Sequence, residues 1–269
     1  MTMKNITSIF CIALSAILTH TTSYGSNFNG SDDFNDNSKD LAKWGTDAIF
    51  DPGVGSGTLT ETSQVLQYTA SGSFTIEELA RPWIANTGSF TSDWSLQLDV
   101  NVPTLSLSAG QRIEFGLGVT NGDDPTDSFR LSLRLDAASG RQFHSQLRVD
   151  GVAQTAVTST TTSTSAAILI QYDAATTTLS AGYDANGAVG GYNFTIFDSR
   201  NITTAGWNMT ASSVFDVAVG GKSQGSLAIS SANNVSGDNF LAVPEPATYA
   251  LLLSGMGIIA YKRFRRNMA

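Results

Sequence analysis

The sequence is poor in the residues that do covalent and redox chemistry. Its one cysteine, Cys11, lies in an apolar run near the N-terminus, and its two histidines are His20 and His144. If the leader carrying Cys11 is removed, what remains has no disulfide, no thiolate nucleophile and no cysteine metal site. Charged residues make up only 14% of the chain, and residues 26–242 show no amphipathic run of ten that would read as a helix. Positive charge is scarcest of all. The chain carries a formal charge of −8, and residues 26–242 hold ten Lys and Arg against 22 Asp and Glu. Such a body should repel nucleic acid and anionic lipid. Its acidity serves solubility or supplies hard oxygen ligands for Ca²⁺.

What is abundant is glycine, serine and threonine, a composition that favours strands and turns. Both ends stand apart from this body. Residues 1–25 read as a secretory signal peptide: Lys4 supplies the positive start and Ile6–Leu18 is mostly apolar. That run is too short to span a bilayer. Ser23 and Gly25 are the small residues of a cut before Ser26. An uncleaved anchor is the alternative. Cys11 is followed by Ile12, unlike a lipoprotein cysteine.

At the other end, the run Val243-Pro244-Glu245-Pro246 precedes an uncharged apolar stretch, Ala247–Tyr261. Lys262, Arg263, Arg265 and Arg266 follow. The two prolines oppose a continuing helix or strand, so the residues before them read as a linker. Residues 247–261 read as a transmembrane helix, short for a bilayer of ~30 Å. Snorkelling of the basic tail, 262–266, and of Tyr249 offsets the mismatch. That tail holds the C-terminus in the cytoplasm.

Residues 243–266 resemble the PEP-CTERM sorting signal of Gram-negative bacteria. The resemblance implies that Pro244, Glu245 and Pro246 are recognised by an exosortase-type membrane protease. The protein would be held at the inner membrane by its C-terminal helix, then released to the cell surface or beyond. It also implies a setting of extracellular polysaccharide and biofilm matrix. A plain anchor that is never cut is the alternative.

The body, residues 26–242, reads as one domain of about a dozen short strands. Trp94, Leu96, Leu98, Val100 and Val102 share one face, with polar residues between them. Ile113–Val119, Phe129–Leu135 and Phe143–Val149 repeat this period of two, the mark of half-buried strands. These four segments read as an antiparallel meander, closed by turns such as Asp150-Gly151. Thr155–Ser165 reads as an exposed edge strand, and Ala167–Tyr172 with Thr177–Tyr183 as a hairpin. Further strands are expected at Gly57–Glu61, Gln64–Ala70, Tyr192–Phe197, Val214–Val219, Ser226–Ser230 and Asn239–Val243.

Asp32-Asp33-Phe34, Trp44, the hairpin Ile168–Tyr183 and the closing Ser236–Phe240 are similar in order to a concanavalin A-like or laminin-G-like fold. The expected class is therefore an all-β, antiparallel jelly-roll sandwich, with an immunoglobulin-like sandwich as the alternative. Enzymes of this fold that cut β-glucans carry Glu-x-Asp-x-Glu on one strand, which this chain lacks. Glu77 and Glu78 are adjacent, so a strand would point them to opposite faces. No catalytic residue is assigned. A glycosidase or lyase is the least favoured reading, and Glu114 or His144 would be essential to it.

Binding residues are easier to nominate. The polar face of the expected meander carries Arg112, Glu114, Arg130, Arg134, His144, Gln146 and Arg148. Arginine forks suit the carboxylate or sulfate groups of a polysaccharide. The candidates are Arg130, Arg134, His144 and Arg148, with Trp83, in a loop-like stretch after Pro82, stacking on a sugar ring. Asp32 or Asp33, with Asp238, are the candidate calcium ligands where the domain's ends meet. Asn121–Asp124, with Asp127, is a second acidic turn. The body thus reads as a non-catalytic surface protein that binds polysaccharide, or as one that is purely structural or adhesive.

Overall fold

The computed structural model describes residues 27–49 and 56–244. The signal peptide, Glu245, Pro246, the segment 247–261 and the basic tail lie outside the described residues. In chain order the strands are β1 (Gly30–Asp32), β2 (Thr58–Thr62), β3 (Val65–Ser71), β4 (Ile76–Ser89), β5 (Trp94–Asn101), β6 (Arg112–Asn121), β7 (Ser128–Asp136) and β8 (Gly140–Val149). They continue with β9 (Val152–Ala153), β10 (Val157–Thr160), β11 (Ser165–Asp173), β12 (Thr178–Asp184), β13 (Thr195–Asn201), β14 (Val214–Gln224), β15 (Ala228–Ile229) and β16 (Val235–Pro244). One helical turn, Ile202–Ala205, is capped by the Asn201 side chain and ended by left-handed Gly206.

Two antiparallel sheets face each other. One runs β13-β12-β11-β5-β16-β3-β15, with β1 on β16 and β2 on β3; the other runs β10-β8-β7-β6-β14-β4, with β9 on β8. The all-β antiparallel sandwich expected from the alternation is therefore the fold observed. Leu96, Leu98, Ile168, Ile170 and Leu179 of the first sheet are buried, as are Phe115, Leu131, Leu133, Phe143 and Val219 of the second. This apolar interleaving between two half-wetted sheets is the main source of stability.

Three expectations change. The meander holds for β6, β7 and β8, but β5 leaves it and pairs with β11 and β16 in the other sheet. Period-two alternation fixes which side chains share a face; it carries no information on which strand lies alongside. The ten residues from Val102 to Gln111 are enough to cross between sheets. Arg141 pins this crossing by donating to the Val102 carbonyl and, at 3.3 Å, to Thr104 Oγ1.

Trp83 lies in β4, not in a loop. β4 is the edge strand, and Pro82 accepts from Gly45 N–H at 2.9 Å on its open side. Its missing N–H faces the same side, so no ladder bond to β14 is lost. Finally, the residues before the two prolines are a strand, not a linker. β16 continues to Pro244, which stands opposite Trp94.

Candidate functional site

The outer face of the β8-β7-β6-β14-β4 sheet carries a cavity of about 100 Å³. Its residues fall in cross-strand rows. Glu78, Lys222, Glu114 and Arg134 stand directly opposite one another on β4, β14, β6 and β7. The next row on this face is Ala80, Gly220, Gly116, Ser132 and His144, and the one after is Pro82, Ala218, Gly118, Arg130 and Gln146. Small residues thus floor the cavity where long ones wall it.

The glycines of the floor are required by close approach. A Cβ on Gly116 would lie 2.0 Å from the Leu131 carbonyl oxygen, and one on Gly220 would lie 2.3 Å from that of Leu79. No side chain fits there without moving a neighbouring strand.

The walls are charged. Glu114 Oε2 accepts from Ser132 Oγ at 3.0 Å, Arg134 Nε at 2.8 Å and Arg134 Nη2 at 2.6 Å. Burial raises the Glu114 pKa, but Arg134 and the further cations Arg112 and Lys222 outweigh it and hold the carboxyl far below its usual range. Glu78 is ion-paired on both oxygens, to Lys222 Nζ at 2.7 Å and to Arg130 Nη2 at 3.2 Å. His144 is 7% exposed. Burial, then the Arg134 charge, push its pKa down to about 4, so the imidazole is neutral near pH 7.

Arg112 is half-buried at the cavity wall, and its Nε has no hydrogen-bond partner. Burial lowers its pKa, as does Arg134, with Glu114 acting the other way.

The nominated residues Arg130, Arg134, His144 and Arg148 all line this one cavity. Trp83 does not. It is 4% exposed and packs against Trp44 and Phe240, with Nε1 donating to Asn86 Oδ1 at 3.2 Å. A buried ring cannot stack on a sugar, so that assignment is corrected. Glu77 and Glu78 do point to opposite faces: Glu78 to the cavity, Glu77 inward to Ser71 N and Oγ, both at 2.7 Å.

Sequence reasoning missed Lys222 and did not link Glu78 to the arginines. Lys222 follows Gly220-Gly221, and glycine weakens a strand signal. The even-numbered phase of Asp216, Ala218, Gly220 and Lys222 was the cue available.

The calcium candidates divide. Asp32 is committed to Trp44 Nε1 at 2.8 Å and Phe34 N–H at 2.9 Å. Asp33 is exposed, and Asp238 is half-buried with its pKa raised by burial and by Asp99 and Asp33. Among the described residues the carboxylates that gather are instead Asp124, Asp127 and Asp150, with one oxygen of each within 4.8 Å of the others. That acidic group can hold a cation. Asp127 is buried there and already accepts from Asp150 N–H at 2.9 Å.

Comparison with known proteins adds one assignment. Residues 242–266 match the model of the PEP-CTERM protein-sorting motif. This motif marks the chain for export and for membrane anchoring before processing. No curated protein matches the chain. Among solved structures, the winged bean acidic lectin complexed with methyl-α-D-galactose is 12% identical, with 80% of this chain and 96% of that chain covered and a TM-score of 0.46. The Emp47p carbohydrate recognition domain is 11% identical, covering 82% and 96%, at 0.47. A xylan β-1,4-xylosidase from Bacillus halodurans is 14% identical, covering 79% of this chain and 38% of that chain, at 0.49. Likeness at this level assigns neither ligand nor activity.

Proposed function

We propose that the chain is an exported, non-catalytic surface protein of a Gram-negative bacterium that binds polysaccharide through this cavity. The sorting motif delivers it to the inner membrane, an exosortase-type protease processes it at Pro244-Glu245-Pro246, and the sandwich is presented at the cell surface or in the matrix. The observation that carries the binding assignment is the convergence of five strands' polar side chains on one open cavity with a glycine floor. A saccharide is recognised by many fixed hydrogen-bonding groups of this kind, held on rigid strands.

The carboxylates speak against catalysis. A glycosidase needs one acid held protonated, whereas Glu114 and Glu78 are both ion-paired. Calcium enters this reading as a brace for the Asp124–Asp150 loops, where chelation should lower the melting temperature and leave retention on glycan unchanged.

A glycan array probed with the chain tests the assignment. Retention on at least one neutral or acidic glycan, with no release of new reducing ends, is expected. No retention anywhere, together with loss of cell cohesion on deletion, would replace it with a purely adhesive role. Replacing Pro244 and Glu245 by Ala should leave the unprocessed chain in the membrane fraction.

A further inference from the structure

The cavity is an island of positive charge in an acidic protein. Five of the ten lysines and arginines in residues 26–242 line it: Arg112, Arg130, Arg134, Arg148 and Lys222. Of the 22 acidic residues in the same span, only Glu78 and Glu114 do among the described residues. Those two carboxylates are already engaged by Arg134, Arg130 and Lys222. The cavity lining therefore keeps an excess of positive charge, with Asp136 and Asp216 on the same face outside the lining, and an arginine guanidinium does not deprotonate to relieve it.

The volume also decides between ligands. About 100 Å³ is well below the ~300 Å³ at which pockets begin to enclose a drug-sized molecule. The cavity has room for one substituent, while the rest of a polymer lies across the open sheet.

We propose, building on the glycan-binding reading above, that the cavity is an anion subsite. It seats the carboxylate of a uronic acid or a sulfate ester on an acidic polysaccharide, with Arg112 as the arginine that turns to meet it. Arg134 and Lys222, fixed by Glu114 and Glu78, supply the surrounding field. A planar guanidinium suits either group as a bidentate donor. The acidic remainder of the molecule repels such a polymer beyond contact range, so recognition is confined to this spot. That repulsion is screened within about 8 Å at physiological salt.

The test uses the full chain in neutral detergent and three soluble probes: an oligogalacturonate, the same oligomer with its carboxyls reduced, and a sulfated galactan. Tighter binding of an acidic probe than of the reduced oligomer, by roughly 10-fold or more, is expected, and the better acidic arm says whether carboxylate or sulfate is the ligand. Arg112→Gln should remove that preference while leaving the melting temperature unchanged, and Lys43→Gln, at a half-buried cation elsewhere, should not. Equal binding of acidic and reduced oligomers overturns the anion subsite but leaves glycan binding standing. Binding to none of the three overturns both.

Discussion

Trp83 meets Trp44 at a ring-centroid separation of 5.0 Å and Phe240 at 5.0 Å, joining β4 to β16 across the end of the sandwich. Trp83→Ala removes a buried ring that the sheet edge cannot refill, so urea denaturation should report a loss of about 3–5 kcal/mol. Glycan retention by the folded variant should be unchanged. His144 gives a pH prediction. Its folded pKa, about 4, lies below the ordinary value of about 6.5. Between those values the unfolded chain takes up a proton that the folded chain refuses. Stability contributed by His144 is thus complete above pH 6.5 and is lost as pH falls toward 4. From pH 7 to pH 5 this amounts to a loss on the order of 2 kcal/mol. His144→Gln should flatten that part of a stability-against-pH curve.

At the scale of elements, the pairing of β6 with β7 and of β14 with β4 depends on glycine. With the Leu131 carbonyl 2.0 Å from where its Cβ would be, Gly116→Ala must push β6 from β7. A destabilisation of about 1–3 kcal/mol is expected from chemical denaturation, with a widened cavity floor and weaker glycan binding. The row Glu78–Lys222–Glu114–Arg134 alternates in sign across four strands, an arrangement that favours this register over a slipped one. Arg141, on the same strand as Arg148, faces away from this row and fastens the β5–β6 crossing.

For the molecule as a whole, β16 lies between β5 and both β3 and β1. It buries Phe240 and Ala242 just before the sorting motif. A chain ending at Pro244 should therefore keep the melting temperature of a longer one. A chain ending at Asp238 loses the part of central strand β16 that pairs with β1 and buries Phe240 and Ala242, and should not unfold cooperatively by circular dichroism. Processing within the motif would then release an intact sandwich.

The sequence by itself determined what depends on neighbours along the chain. Alternation at Trp94–Val102, Ile113–Val119 and Phe129–Leu135 set strands and their inward faces, because successive strand residues point to opposite sides. The sorting motif was legible because it is a linear string. It also nominated four of the cavity's polar residues, since Arg130, Arg134, His144 and Arg148 are in phase on consecutive strands. Tertiary structure alone decided which strands lie side by side. It sent β5 to the opposite sheet, buried Trp83 within an edge strand, and brought Glu78 and Lys222 to the arginines. These outcomes rest on pairings between residues up to a hundred or more positions apart, such as Glu114 with Lys222. Such pairings are chosen by the packing of the whole core, not by any local pattern.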